Sequence, residues 1–255
     1  VSLEDDARTL LKDVMTPKRR ARVRLAEPLR DAQSFEIDTP HGKIASWRLG
    51  EGPAVLCVHG WQDDNALWSP LIQALNEFGI AVVTLDLPGH GHSEGDRCTP
   101  PRAAAAIQAV VDQLGPIDSV VTHSFGGPAT SLALSMGLNV RRVVLIASPR
   151  GRNRRWFHVA EERGLSEDVG NRARELYAEE VGPEHSVFDL AEVAKSFKAE
   201  ALIIHSLDDD AVEWDNAQAI ADAWPGSELV LCDGLGHRMI AQDRGIIERV
   251  VQFVA

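Results

Sequence analysis

The strongest constraint on the fold is a series of short apolar segments, each too short for a helix and most followed by a stretch with helical spacing. The segments are residues 54–58, 80–85, 119–122, 143–147, 201–205 and 228–231. Runs of this length that are apolar on both faces are what strands need when helices cover both sides of a sheet. Helical spacing follows at 67–78, 103–114, 128–138, 216–224 and 244–254. Strand, helix, strand, repeated about six times, predicts an α/β fold, a mostly parallel sheet with helices on both faces and right-handed crossovers.

The flanks of this pattern differ. Residues 3–15 place Leu3, Ala7, Leu10, Leu11 and Val14 at helical spacing, and Pro17 stops the helix. The basic run that follows, Lys18, Arg19, Arg20, Arg22 and Arg24, reads as a solvated face. Residues 34–38 alternate, Thr39-Pro40-His41-Gly42 is a turn, and residues 43–49 are strand-like, together a β-hairpin. Residues 149–198 are too many for a simple crossover. With helical candidates at 154–163, 168–180 and 189–197, they predict a lid inserted across the C-terminal edge of the sheet, within a single domain spanning 1–255.

Composition excludes several function classes. A length of 255 residues with 44% hydrophobic and 25% charged side chains fits one α/β domain. The net charge of −12 is a poor match for a nucleic-acid backbone or an anionic membrane. No apolar run is long enough to cross a bilayer, and the opening Val1-Ser2-Leu3-Glu4 is too charged for a secretory signal. Cys57, Cys98 and Cys232 are odd in number and read as free thiols of a reducing compartment, which predicts a cytoplasmic protein. No feature fixes an oligomeric state.

Chemistry-bearing residues gather where strands end, the edge at which open α/β sheets bind ligands. The first such turn is Val58-His59-Gly60-Trp61-Gln62, and the second is Asp86-Leu87-Pro88-Gly89-His90-Gly91-His92-Ser93. The third, Val121-Thr122-His123-Ser124-Phe125-Gly126-Gly127-Pro128, runs from a strand through one serine straight into a helix. A serine hydroxyl is a weak nucleophile that needs a base and donors for the developing oxyanion. A helix N-terminus aims unpaired N–H groups at the same spot. The last group comprises His205-Ser206-Leu207-Asp208-Asp209-Asp210-Ala211-Val212 and Gly234-Leu235-Gly236-His237, each after a late strand. Serine, acid, histidine is the chain order of one particular fold.

Over residues 35–255 these motifs resemble the α/β-hydrolase superfamily, most of all compact bacterial hydrolases of the esterase type with a short helical lid. The resemblance implies Ser124 as nucleophile, His237 as base, and backbone N–H groups of Trp61 and Phe125 as the oxyanion hole. Aligning His205 with the family's histidine puts the acid at Asp209, with Asp208 and Asp210 as alternatives. It further implies a cofactor-independent serine hydrolase acting on a small-molecule ester. The same triad also serves carbon–carbon bond hydrolysis, acyl transfer or perhydrolysis, and a slow-turnover ligand-binding protein is a reading of another class. One residue departs from the pattern: Thr122 stands where the family has a small residue, so a reshaped elbow is expected.

The other motifs have plainer readings. The remaining histidines fit structural roles, and Asp86, His90 and His92 sit in a turn that the fold explains without a metal. Gly89-His90-Gly91 lacks the remaining features of a dinucleotide fingerprint. Arg141, Arg142, Arg150, Arg152, Arg154 and Arg155 read as surface cations paired with Glu161, Glu162 and neighbours, with an anion-binding cluster as the alternative. Trp156, Phe157 and Tyr177 read as lid packing, and Gln62, Asp63 and Asp64 as residues lining the entrance.

Overall fold

The computed structural model describes residues 2–18, 24–151 and 155–255, the side chains of Arg155, Phe157 and His158 aside. Arg19, Arg20 and Arg22 of the basic run, and Arg152 and Arg154, lie outside the described residues, as do the side chains of Arg155 and Phe157.

The chain opens with helix α1 (Leu3–Met15), started by a capping box in which Ser2 and Asp5 satisfy each other's N–H groups. A 3-10 turn, Glu27–Asp31, leads into β1 (Gln33–Ile37) and β2 (Ile44–Leu49), the expected antiparallel hairpin. There follow β3 (Ala54–Val58), α2 (Ser69–Glu77), β4 (Ala81–Leu85), α3 (Pro100–Leu114), β5 (Ile117–His123), α4 (Gly126–Ser135) and β6 (Arg142–Ile146). Between the sixth and seventh strands come α5 (Arg155–Glu162), α6 (Glu167–Val181), α7 (Pro183–Ser186) and α8 (Leu190–Ala194). The chain closes with β7 (Glu200–Ser206), α9 (Asp215–Ala223), β8 (Glu228–Cys232), α10 (Gly236–Met239) and α11 (Arg244–Val254).

The sheet has eight strands in the order β1-β2-β4-β3-β5-β6-β7-β8, with β2 antiparallel to both β1 and β4 and every other pair parallel. Because side chains alternate along a strand, β3 sends Ala54, Leu56 and Val58 into one core and Val55 and Cys57 into the other. The first core is roofed by α3, α4 and α9 through residues such as Ile107, Ala129 and Ile220. The second is roofed by α2 and α11 through Leu71, Ile72, Ile247 and Val250. The edge strand β8 departs from the apolar-on-both-faces expectation. Its residues are exposed or half-buried, because no strand pairs with its outer edge.

The insertion differs from expectation in two ways. The predicted helix at 189–197 is only Leu190–Ala194, started by Asp189, whose carboxylate accepts from Ala191 N, and the short α7 precedes it. More consequential is α1, whose Ala7, Leu10, Leu11, Val14 and Met15 form a third apolar cluster with Trp156, Ala160, Val169, Ala173, Leu176 and Tyr177. Helical spacing identifies an apolar face; only the fold identifies what covers it. Ion pairs Arg172–Glu4 and Arg163–Asp13 fasten the rim of this contact. The unit touches the sheet's C-terminal edge, where Cys98 N donates to Met15 O at 2.8 Å and Arg97 pairs with Glu180 at 3.0 Å. Among the described residues no helix is long and apolar enough to cross a membrane.

The chain leaves β3 for β4 on one side, then returns to place β5 on the other. The loops after β3 and β5 therefore separate above the sheet, and such a switch point opens a crevice. The turns rich in Gly, His and Ser lie there.

Candidate active site

Strand β5 ends at His123, and Ser124 follows with φ +49°, a left-handed conformation that a residue with a Cβ rarely adopts. Its amide donates to Ile146 O at 2.9 Å and its carbonyl accepts from Gly127 N at 2.9 Å, so both ends of the turn are fastened. Phe125 is the N-cap of α4, and an N-cap amide has no intrahelical acceptor. Gly126 shows why no side chain fits at this step. A Cβ there would stand 2.6 Å from Val58 O and 2.9 Å from His59 O. Helix and strand crowd as expected, and Thr122 packs into this region. Its side chain is fully buried between strands and its Oγ1 donates to Val144 O at 3.1 Å.

The structure brings three of the expected side chains into line. His237 Nε2 lies 3.0 Å from Ser124 Oγ, and His237 Nδ1 lies 2.8 Å from Asp209 Oδ2. Of the adjoining aspartates, Asp209 reaches the imidazole. Its Oδ1 accepts from Ala211 N and Val212 N, each at 2.9 Å. Asp208 instead takes the Ser206 hydroxyl and the Gly236 amide, supporting the turn that presents His237. Burial alone would raise the Asp209 pKa. Hydrogen bonds from His205, His237 and the Val212 amide outweigh it and hold the carboxyl well below the usual carboxylate range. Asp209 is thus an anion that fixes the proton of His237 on Nδ1, leaving the Nε2 lone pair facing the serine. That arrangement can deprotonate Ser124 as it attacks an electrophile.

The loop after β3 lies across from the elbow. A Cβ on Gly60 would meet Ser124 Cβ and His123 Nδ1, each at 3.0 Å, and the Trp61 and Phe125 rings stand edge-on at 5.6 Å. Leu87 N donates to His59 Nε2 at 2.9 Å, and Gln62 N donates to His90 Nε2 at 3.0 Å. The second bond holds Gln62 at φ +57°. Asp86, fully buried, accepts from Asn65 and from the amide and Nδ1 of His92. Asp86, His90 and His92 are therefore engaged in fastening loops.

Several sequence readings need correction. Asp63 and Asp64 do not line an entrance. Both are buried, Asp63 pairing with Arg238 at 2.9 Å and Asp64 capping the 3-10 turn Asn65–Trp68. Among the arginines whose side chains are described, Arg141 and Arg142 do not cluster with Arg150 either. Arg141 and Arg142 lie at the N-terminal end of β6, pairing with Asp118 and Glu200. Arg150, beyond its other end, pairs with the buried Asp189 at 2.8 Å. A five-residue strand, roughly 17 Å of chain, separates them. Side chains read as structural prove to touch Asp209 and His237: His205 Nε2 lies 3.3 Å from Asp209 Oδ2, and His123 Nε2 donates to His237 O at 2.8 Å. The signal for both was adjacency, since one precedes Ser124 and the other opens the acid-bearing segment.

Comparison with known proteins agrees with this architecture. Residues 55–249 match the model of the alpha/beta hydrolase family. A pimeloyl-[acyl-carrier protein] methyl ester esterase of Stenotrophomonas maltophilia is 32% identical over 142 residues, covering 52% of this chain and 53% of that protein. Alignments to the curated relatives span about 32% to 53% of their lengths. In fold, an esterase of Pyrococcus furiosus superposes with a TM-score of 0.71 at 20% identity, covering 94% of this chain and 98% of that one. An esterase of Exiguobacterium antarcticum does so at 0.70 and 19%, covering 87% and 98%. From residue 55 to residue 249, strands, elbow and histidine turn included, the chain belongs to the alpha/beta hydrolase family.

Proposed function

We propose that this protein is a serine hydrolase of small carboxylic esters. The observation that carries the reading is the relay from Asp209 through His237 to Ser124, with links of 2.8 and 3.0 Å ending on a strained turn at a helix N-terminus. Similarity to a methyl ester esterase supports the ester as substrate class.

In the reaction, Ser124 Oγ attacks the acyl carbon while its proton passes to His237 Nε2. Asp209, kept ionised by its hydrogen bonds, stabilises the imidazolium without taking the proton. The tetrahedral oxyanion accepts from the Phe125 and Trp61 amides. Collapse breaks the ester C–O bond as His237 protonates the leaving alcohol. Water, deprotonated by His237, then attacks the acyl-enzyme and releases the acid and Ser124. No step needs a cofactor. The hydrogen bond from Thr122 to Val144 supports an elbow competent for turnover.

Helices α5–α8 act in this reading as a lid within one domain, and the apolar cluster that α1 shares with α5 and α6 supports α1 as part of it. The free cysteines support a reducing, cytoplasmic setting. The test is hydrolysis of p-nitrophenyl esters of increasing acyl length by wild type and Ser124→Ala. A chain-length preference abolished in the variant is the expected result. Equal inactivity of both proteins would sink the ester reading.

A further inference from the structure

His123 is the last residue of β5, bonded directly to the nucleophile candidate and almost fully buried. Its ring packs 4.9 Å from the ring of His237, and its Nδ1 faces Gly60, where a Cβ would stand only 3.0 Å away. Nε2 donates to the His237 carbonyl at 2.8 Å, while Nδ1 has no hydrogen-bond partner among the described residues. A carbonyl can only accept, so the proton sits on Nε2. An imidazole with one nitrogen buried and unsatisfied is a poor choice for packing alone, since an apolar side chain would fill the site without that penalty. The polar end of His123 therefore has a task.

The task is visible at His237. Its ring must meet Ser124 and Asp209 at once, yet it rides on α10, a single four-residue turn entered through Gly236 at φ +57°. Asp209 holds the far nitrogen of the ring. The main chain beneath the ring is held by His123 through the carbonyl of His237 itself. Pinned at both ends, the imidazole has little room to swing. The main-chain pin grows from the residue covalently joined to Ser124, so nucleophile and base are referenced to the same point of the sheet.

We propose that His123 is a positioning residue that sets the Ser124–His237 distance by holding the main chain of the base. This rests on the reading of Ser124 and His237 as nucleophile and base. The surroundings suit the task. Burial first, then the nearby charge of His237, pushes His123 down to about 4, with Asp63 and Arg238 as the other charged groups facing it. A neutral ring there adds no positive charge beside the imidazolium formed during turnover.

The experiment compares His123→Gln, which offers an amide N–H near the place of Nε2, with His123→Phe, which keeps the ring and loses the donor. For each, kcat and KM on a p-nitrophenyl ester, the rate of fluorophosphonate labelling of Ser124, and thermal denaturation are measured. Small displacements of reacting groups are costly, so the Phe variant should lose roughly 10- to 100-fold in kcat and labelling rate with KM nearly unchanged. The Gln variant should recover most of the loss. Wild-type kcat in the Phe variant overturns the proposal. So does an equal fall in both variants that tracks their melting temperatures, because that is a packing effect. A wild-type protein that is neither active nor labelled at Ser124 overturns the hydrolase reading itself.

Discussion

Gly126→Ala probes how rigidly the elbow is referenced to the sheet. Ala is compatible with the first turn of α4, so the effect comes from space and not from backbone preference. The new Cβ would stand 2.6 Å from Val58 O, against 3.4 Å for an ordinary contact, a deficit of 3.4 − 2.6 = 0.8 Å. The obstacle is the carbonyl end of β3, a strand buried along its whole length between β4 and β5, which cannot retreat. The elbow must move instead, carrying Ser124 and the Phe125 amide away from His237. Overpacking of this kind costs about 1–3 kcal/mol, offset by up to about 1 kcal/mol of helix propensity. At roughly 2–4 °C per kcal/mol, melting should fall by no more than about 12 °C. A misplacement approaching 1 Å lowers the rate by about two orders of magnitude, so kcat and fluorophosphonate labelling should fall ~30- to 100-fold in a folded protein. A folded variant within about threefold of wild type would falsify the claim that the close approach of Gly126 to β3 sets the geometry of the site.

Two further outcomes are expected. Thr122→Gly restores the small residue of the family pattern but removes a fully buried side chain and its bond to Val144, so it should lose about 1–3 kcal/mol in denaturant unfolding and gain nothing in kcat; a severalfold faster variant would mean that Thr122 does obstruct the elbow. The His92–Asp86 pair gives a pH signature, because the hydrogen bond that His92 donates to Asp86 raises the His92 pKa despite partial burial. A raised histidine pKa stabilises fully below about pH 6.5 and is lost as pH rises through the folded value, so the melting gap between wild type and His92→Asn should narrow toward alkaline pH. A gap that widened there would contradict the assignment.

The sheet was legible because buried parallel strands leave no polar face, so β3, β4, β6 and β7 appear as continuous apolar runs. Their limits were less so. β7 extends to Glu200 and Ser206, since ladder hydrogen bonds are indifferent to the side chains at strand ends. Helix α4 starts at Gly126 instead of 128, because its first glycines are fixed by close approach to other chain segments and not by helical preference. A four-residue helix such as α10 is shorter than any periodicity can register. The docking of α1 on α5 and α6 was invisible for another reason: an apolar helical face names no partner.

The site was legible only where its chemistry lies next to a strand end. Ser124, Asp209 and His237 have that address. The links that support them have no such mark, since His123 reaches a carbonyl 114 positions away, Arg238 an aspartate 175 away and His90 an amide 28 away. The supporting histidines share a chemistry that sequence cannot display. His59 accepts from the Leu87 amide while its Nδ1 donates to Gly60 O at 2.7 Å. His90 accepts from the Gln62 amide while its Nδ1 donates to Pro88 O at 2.9 Å. A neutral imidazole is well suited to bridge two loops in this way, offering one donor and one acceptor across a rigid ring. Separating structural from catalytic histidines therefore misdescribes the proposed site, because rings behind the loops hold the backbone whose amides the proposed mechanism uses.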